Sequence, residues 1–440
     1  MGGGLLQLVA YGAQDVYLTG NPQITFFKVV YRRHTNFSIE AIEQTINGNS
    51  NFGSRVTIQL TRNGDLINRI YFNAVLTNSK TAGTTLNNGL ALVPYFGHKL
   101  LKTIELEIGG QRIDKHYSEW LYIWNELSLP ASKKHGYRLM VGGDVYNRSI
   151  YLGALQSYEV NVPLEFWFCR NVGLALPLIA LQYHEVKVNI EYSTQSELVD
   201  KSATNYCNKA YELTGDNGTA LAAPPSNADL VALSTDLTFT SATMWVDYIF
   251  LDTDERRRFA QLSHEYLIEQ LQFTGADTIN GTGVIDNMKS IRLNFNHPCK
   301  ELIWAIKSTV NTNAYWNNFS DCDNKALGNN YVVSKNPVLQ AKLQLNGNDR
   351  MAQRPGTYFS RVQPFQHHEC VPSVFNQGIN VYSFAIKPEE HQPSGTLNMS
   401  RIDTAQLSVS SSITGTIYVF TVNYNVLRIL SGMGGLAYSN

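Results

Sequence analysis

The sequence is poor in charged residues. Asp, Glu, Lys and Arg make up 16% of the 440 residues and leave a net charge of −1, whereas an average globular chain is about a quarter charged. The few basic clusters, Arg32-Arg33, Lys133-Lys134 and Arg256 to Arg258, lie in separate regions. Tight binding to a nucleic acid duplex needs several cations that converge on the phosphates. The composition therefore predicts that the chain does not bind nucleic acid directly.

Cysteine is scarce, and long apolar runs are missing. The five cysteines include no Cys-X-X-Cys pair, which argues against a disulfide framework and favours folding in a reducing compartment. No run reaches the ~20 apolar residues of a membrane-spanning helix, and the first residues lack the cationic start of a signal peptide. Leu6 stands where a myristoylation motif has Ser or Thr. We expect a soluble protein that is made in the cytoplasm.

Motifs for catalysis and cofactor binding are also absent. The sequence has no GxxxxGK, no GxGxxG after a strand and no GxSxG, so no cofactor is predicted. Glu105 and Glu107 share one strand face in IELEIGG, as catalytic carboxylates do in some jelly-roll glycosidases. Paired acids need tuned environments to do chemistry, and Gly109-Gly110 follows at once. A solvated strand face is the favoured interpretation, and the chain is not predicted to be an enzyme.

One short stretch, QHHEC from Gln366 to Cys370, is dense in metal-ligand residue types. His368 and Cys370 could point the same way, but zinc would need two more ligands from elsewhere in the chain. The neighbouring Pro364 and Pro372 indicate a loop. Ordinary loop residues are favoured here, and no metal site is predicted.

What the sequence does contain is an internal repeat. SIEAIEQT (Ser38 to Thr45) resembles LIEQLQFT (Leu267 to Thr274), with Ile39 and Glu40 in the places of Ile268 and Glu269. Four further pairs follow in the same order, and the spacing between copies falls where the first copy carries extra chain. Loops tolerate insertions and strands do not. The additional matching pairs are Ile58 to Phe72 with Ile291 to Ala305, Leu106 to Arg112 with Leu343 to Arg350, Asn161 to Phe168 with Asn380 to Lys387, and Trp245 to Leu251 with Thr421 to Leu427.

Each copy has the pattern of antiparallel strands. Apolar residues alternate with polar ones, for example at Ile104, Leu106 and Ile108, and period two indicates half-buried strands. Asn-Gly and Gly-Gly turns separate these segments and suit tight hairpins. Many short strands in about 200 residues favour a sandwich or jelly roll. The fold predicted from the repeat is all-β, with two tandem copies of such a domain.

Only two helices stand out from the pattern. Trp120, Ile123, Trp124 and Leu127 fall on one helical face, with Asp114 or Ser118 available as the N-cap. LDTDERRRFAQLS (Leu251 to Ser263) has acidic residues in its first turn and Arg256 to Arg258 after them, which suits the helix dipole. We predict that this second helix connects the two copies.

Long blocks of the sequence resemble the major capsid proteins of nucleo-cytoplasmic large double-stranded DNA viruses, especially those of the algae-infecting (chlorovirus-type) branch. The resemblance runs from end to end and weakens in stretches predicted as loops. The blocks are Leu8 to Phe37, Gly109 to Tyr117, Gly173 to Lys187, Val246 to Leu262, Arg292 to Pro298 and Tyr424 to Asn440.

The resemblance implies a double jelly roll of eight-stranded domains. The predicted division is an N-terminal arm (1–25), a first jelly roll (26–252), a helical connector (253–263) and a second jelly roll with a C-terminal tail (264–440). It also implies homotrimers of pseudo-hexagonal outline that tile an icosahedral shell, assembled in the host cytoplasm. Minor capsid proteins and internal membrane proteins would lie at the inner face, and the host surface would meet the outer loops.

Members of the algal branch carry sugars on outer loops. Six Asn-X-Ser/Thr triplets occur here, although the triplet arises often by chance in a chain rich in asparagine and normally marks secreted proteins. The candidate glycosylation sites are Asn280, Asn318 and Asn398.

Two alternatives remain open at this point. The chain could be a minor capsid paralogue that forms special capsomers, which only its copy number in the virion would separate from the major protein. It could also be a sugar-binding or host-attachment β-sandwich. NAYWNNFSDCDN (Asn313 to Asn324) has the composition of an aromatic platform or an acidic calcium site.

Overall fold

The computed structural model describes residues 7, 10, 12–29, 31–79, 90–143, 150–152, 155–199, 236–309, 316–321, 335–372 and 376–438. By their contacts, the residues divide into two compact units, Met1–Phe37 and Ser38–Asn440. The predicted arm, residues 1–25, lies within the first unit. This unit includes the short helix Val16–Thr19 and exposes large apolar side chains such as Phe26 and Phe27.

Strands dominate the described residues of the chain. In order they are β1 (Phe37–Gln44), β2 (Ile46–Asn47), β3 (Arg55–Gln59), β4 (Leu66–Asn78), β5 (Leu90–Leu92), β6 (Leu101–Ile108), β7 (Gln111–Tyr117), β8 (Ile150–Leu152), β9 (Ser157–Pro163), β10 (Leu176–Pro177), β11 (Val186–Tyr192), β12 (Leu237–Leu251), β13 (His264–Phe273), β14 (Asp277–Ile279), β15 (Lys289–Leu293), β16 (Pro298–Ser308), β17 (Val338–Leu345), β18 (Asn348–Pro355), β19 (Ile379–Ser383), β20 (Leu397–Asn398), β21 (Ala405–Ser411), β22 (Gly415–Leu430) and β23 (Met433–Leu436).

The helices of the second unit are short, and none of the described helices is long and apolar enough to cross a membrane. They are the α-helices Phe96–Leu100, Ser118–Ser128, Ala131–Met140, Trp167–Arg170, Gln195–Leu198, Thr253–Gln261 and Gln363–His367, the 3-10 turns Val172–Leu174 and Met399–Arg401, and the π turn Tyr358–Val362.

The alternation of apolar and polar residues in the sequence matches the alternation of buried and less buried residues in the sheets. In β4, Ile70, Phe72, Ala74 and Leu76 are buried, and the residues between them are half-buried. Successive side chains of a strand point to opposite faces, so this strand presents one face to the core. A fully buried aliphatic or aromatic side chain contributes about 1.5–3 kcal/mol of transfer free energy. The predicted core positions in β3, β6 and β11 are likewise buried.

The two halves have the same sheet topology. In the first half, one sheet has the order β1-β12-β4-β10 with β9 also on β4, and the other has the order β2-β3-β11-β6-β7. In the second half, the sheets are β13-β22-β16-β19, with β20 also on β16 and with β14 and β23 also on β22, and β15-β21-β17-β18. Strand for strand, β1 corresponds to β13, β4 to β16, β7 to β18 and β12 to β22. The predicted all-β double jelly roll is confirmed, with eight principal strands in each half.

Two equivalent hairpins show the repeat at the level of the backbone. Gly109 and Gly110, between β6 and β7, have φ of 58° and 83°. Asn346 and Gly347, between β17 and β18, have φ of 48° and 79°. Two consecutive positive φ angles make the turn that matches the twist of a tight hairpin, and Gly and Asn adopt them most readily.

The predicted caps of the first helix were wrong. The helix begins at Ser118, directly after β7, and its N-cap is Tyr117, which makes no side-chain capping bond. Asp114 lies within β7, and its Oδ1 accepts a hydrogen bond from the backbone N of Leu271 instead. The carboxylate of Asp114 forms a hydrogen bond between the two halves and does not cap the helix.

The second predicted helix is present as Thr253–Gln261. Asp252 is its N-cap and accepts from Thr253 N at 2.7 Å. Arg256 reaches back to the first jelly roll, where its Nε lies 2.8 Å from Asp65 Oδ1. This helix leads from β12 directly to β13.

Candidate functional site

The paired acids of β6 are held as a salt-bridged strand face. Glu105 lies 2.6 Å from Arg55 and 2.8 Å from Lys115. Burial by itself raises the pKa of Glu105, but Lys115 and Arg55 outweigh it and lower the pKa below the ordinary value. Glu107 accepts from Asn189 Nδ2 at 3.2 Å. A general acid needs the opposite shift, so this geometry favours the solvated strand face.

The QHHEC stretch is partly helical rather than a loop, because Gln363–His367 forms a helix with Pro364 in its first turn, where proline is tolerated. His368 follows this helix, buried between two carboxylates. Its Nε2 lies 2.9 Å from Glu301 Oε2, and its Nδ1 lies 2.7 Å from Glu389 Oε1. Among the described residues, no group of three His, Cys, Asp or Glu side chains is arranged to hold a metal ion.

Charge explains why His368 can be buried. Burial by itself lowers the pKa of a histidine, but Glu301 and Glu389 outweigh it and raise the pKa of His368 to about 9. The ring is therefore an imidazolium cation at neutral pH, bracketed by two anions. Two residues on, the backbone N and Sγ of Cys370 donate to Leu127 O and Leu129 O of the first jelly roll. The stretch anchors the second jelly roll to the first.

The three candidate glycosylation sites differ in their exposure. Asn280 and Asn398 are exposed, and both remain predictions. Asn318 is only 7% exposed, and its Oδ1 accepts from Ser320 N at 2.9 Å and from Ser320 Oγ at 2.7 Å. A glycan is bulky and needs the surface, so the structure favours Asn280 and Asn398 over Asn318, which also remains a prediction.

The stretch proposed as a sugar-binding loop is buried where it is described. Of residues 313–324, the structure describes 316–321. Trp316 is fully buried, and its Nε1 donates to Pro94 O at 2.7 Å. Its ring meets that of Tyr122 edge to face. A lectin platform presents its aromatic face to solvent, so Trp316 was misassigned and belongs to the contact between the two jelly rolls.

That contact, which we name the junction, combines apolar packing with hydrogen bonds between the two jelly rolls. Strand β13 lies on β7 and on the Trp167–Arg170 helix. Gln270 Nε2 donates to Ile113 O, Tyr117 meets the ring of Phe273, and Trp120 packs on Phe420. One continuous apolar core runs from the first jelly roll across this contact into the second. The two halves are therefore joined as tightly as the layers of one domain.

A buried ionic network completes the junction. Glu269 of β13 is 4% exposed and Lys300 of β16 is 1% exposed, and Lys300 Nζ lies 2.8 Å from Glu269 Oε1. From the first jelly roll, Arg170 Nη1 lies 3.2 Å from Glu269 Oε2 and its guanidinium stacks on Trp124. Burial by itself raises the pKa of Glu269, but Arg170, His391 and Lys300 lower it to about 2. Sequence reasoning noticed Glu269 only as an echo of Glu40.

Comparison with known proteins identifies the family to which the chain belongs. A family model described as "Major capsid protein N-terminus" matches residues 25–252, and one described as "Large eukaryotic DNA virus major capsid protein" matches residues 255–435. The major capsid protein of Pyramimonas orientalis virus is 51% identical, with both chains covered in full. The chain belongs to the family of major capsid proteins of large eukaryotic DNA viruses.

Other members of this family agree in sequence and in structure. The major capsid protein of Paramecium bursaria Chlorella virus 1 is 44% identical over the whole of both chains. The crystal structure of PBCV-1 VP54 superposes with a TM-score of 0.73 at 39% identity and covers 94% of this chain and 100% of VP54. The resemblance to capsid proteins of algal viruses is confirmed, and the chain is a structural component of a virion capsid.

Proposed function

We propose that this chain is the major capsid protein of its virus and that homotrimers of it, with a pseudo-hexagonal outline, tile the facets of an icosahedral capsid. The observation that carries the proposal is the repeat: both halves have the same two sheets in the same strand order. Three chains then present six similar jelly rolls. A ring of three chains closes through head-to-tail contacts, and a six-cornered outline lets neighbouring tiles cover a flat facet.

The energetics of such a shell have two levels. Permanent contacts within a trimer bury about 2,000–5,000 Å² and resemble a cut core, and the aromatic residues of this chain suit them. Weak individual contacts between tiles are sufficient to hold the shell, because each tile has many neighbours and multivalency multiplies modest affinities. Weak contacts between tiles also allow wrongly placed tiles to leave during assembly.

The remaining roles follow from the division of the chain into the arm (1–25), jelly rolls 26–252 and 264–440, and connector 253–263. We propose that the arm faces inward, towards minor capsid proteins and internal membrane proteins. Its exposed apolar side chains, such as Leu18 at 84%, support this role. The outer loops would meet the host, with Asn280 and Asn398 as sugar acceptors. Shells would assemble in the host cytoplasm without direct contact between this chain and the genome.

Electron microscopy of the purified full-length chain tests the tile. We expect particles with a six-cornered outline, which pack edge to edge at high concentration. Particles with a dimeric or linear outline would contradict the proposal. Counting copies per virion then separates the major protein, with a copy number that accounts for most facets, from a minor paralogue confined to special positions.

A further inference from the structure

Equivalent strands of the two jelly rolls have opposite environments. β13 and β1 each lie at the edge of their sheet. On β13, Ile268 is 0% and Glu269 is 4% exposed, because β7 packs on this strand and Arg170, stacked on Trp124 of the Ser118–Ser128 helix, reaches Glu269. On β1, the matching Ile39 is 49% exposed and Glu40 is also exposed. An exposed apolar edge strand is a liability that proteins normally cover.

The segments that follow β7 and β18 show the same contrast. After β7, the Ser118–Ser128 helix buries nine of its eleven residues, and its Trp120 packs on Phe420 across the junction. After β18, the turns from Tyr358 to His367 leave Val362 41% and Phe365 78% exposed. Ile386 is 70% exposed and lies next to this segment, because its carbonyl is 2.9 Å from His367 Nδ1. Adjacent exposed apolar side chains of this kind mark an interaction surface.

The chain therefore has two strand surfaces and two helix surfaces. One surface of each type is buried within the chain, at the junction. The helix surface of the first jelly roll meets the strand surface of the second at the junction. One strand surface, Ile39 and Glu40, and one helix surface, Val362, Phe365, Ile386 and Lys387, have no counterpart within the described residues of the second unit. We name these the strand face, meaning the exposed edge strand β1 at Ile39 and Glu40, whose side chains point to its two sides, and the helix face.

We propose that the helix face of one copy binds the strand face of a second copy, in the manner in which the first jelly roll binds the second within one chain. This inference rests on the proposed trimer and names the surfaces that form it. Because the two faces differ, the contact is head-to-tail, and repetition of it gives a closed ring.

Charge on the two faces supports this pairing. At the junction, the loop after β9 supplies Arg170 to Glu269. The equivalent loop, after β19, carries Lys387, whose side chain is 64% exposed in a surface pair with Glu390. We expect Lys387 of one copy to meet Glu40 of the next. Like the junction, the contact would combine apolar packing with a charged pair across it.

Two aspartate substitutions test the pairing, one on each face. Ile39→Asp and Phe365→Asp should each convert the trimer to a monomer of 49.3 kDa, because each places a charge in an apolar contact. Ile285→Asp is the matched control, since Ile285 is 47% exposed and lies on neither face. It should keep the mass of the trimer. Circular dichroism of each variant checks that both jelly rolls remain folded.

Mixing the two variants gives the sharper result. The Ile39→Asp chain keeps an intact helix face and the Phe365→Asp chain keeps an intact strand face, so one of each should form a heterodimer of about 99 kDa, twice the chain mass, that cannot close. No association in the mixture, or trimers from either variant alone, would overturn the pairing. The Glu40→Lys and Lys387→Glu exchange, made together, should restore trimers lost in either single change. A wild-type monomer would instead refute the proposed function.

Discussion

Replacing Glu269 by glutamine removes the one anion that the buried cations of the junction share. In the wild type, Lys300 Nζ and Arg170 Nη1 lie 2.8 Å and 3.2 Å from its two oxygens. Lys300 is 1% exposed, and its Nζ also donates to Glu390 O at 3.0 Å. The variant therefore leaves a buried ammonium group without its counter-ion, whereas the shape of the side chain is nearly unchanged.

Two lines of reasoning give a similar magnitude for this loss. Removing one partner of a buried ion pair costs about 3–5 kcal/mol. Independently, the pKa of Glu269 falls from 4.5 to about 2 on folding, which corresponds to about 3 kcal/mol at 1.36 kcal/mol per pH unit. A lowered carboxylate pKa stabilises the fold above pH 4.5, and that contribution is lost as the pH falls from 4.5 to about 2. We expect a loss of about 3 kcal/mol at pH 7.

Thermal unfolding of the full-length chain measures the effect against a control on the same strand. Glu265 pairs with Arg428, and their side chains are 60% and 57% exposed, so Glu265→Gln should cost no more than about 1 kcal/mol. Adding Lys300→Met to Glu269→Gln should recover much of the loss, because the orphaned cation is then gone. Equal effects of Glu269→Gln and Glu265→Gln, or no recovery in the double variant, would refute a stabilising network.

Two further predictions concern a buried charge of the second jelly roll and a hydrogen bond of the junction. His368, with its pKa raised to about 9, should stabilise the fold fully below pH 6.5 and lose that contribution as the pH rises through about 9. His368→Gln should therefore lower the unfolding temperature at pH 7 and flatten its decline towards pH 10, and a parallel decline in both proteins would contradict the assignment. Trp316→Phe should cost about 1–3 kcal/mol by leaving Pro94 O without its donor, as measured by urea unfolding, and an unchanged midpoint would count against it.

Much of the fold could be predicted from the sequence because its signals are local. Alternation at Ile104, Leu106 and Ile108 and the positive-φ turn at Gly109-Gly110 are properties of a few adjacent residues. The repeat gave the long-range order, since two copies of one pattern imply two copies of one topology. The second helix could also be predicted from local residues, because its N-cap and the charges that suit its dipole lie within its own sequence.

The junction could not be predicted, because its residues are far apart in sequence. Nothing near Asp114 indicates that its partner is Leu271, and so it was assigned to the nearest helix. Trp316 and Asn318 lie in a polar stretch that resembles an outer loop, and only tertiary packing buries them. Of the repeated pair Glu40 and Glu269, only Glu269 is buried, so the repeat by itself did not show that this carboxylate has a buried partner.

The native mass of the purified full-length chain tests the central claim most directly. Light scattering at neutral pH should give about 148 kDa, three times the chain mass of 49.3 kDa, without intermediate species at micromolar concentration. A single species at the mass of one chain, stable across the same concentrations, would contradict the proposal that this double jelly roll closes into a three-chain tile.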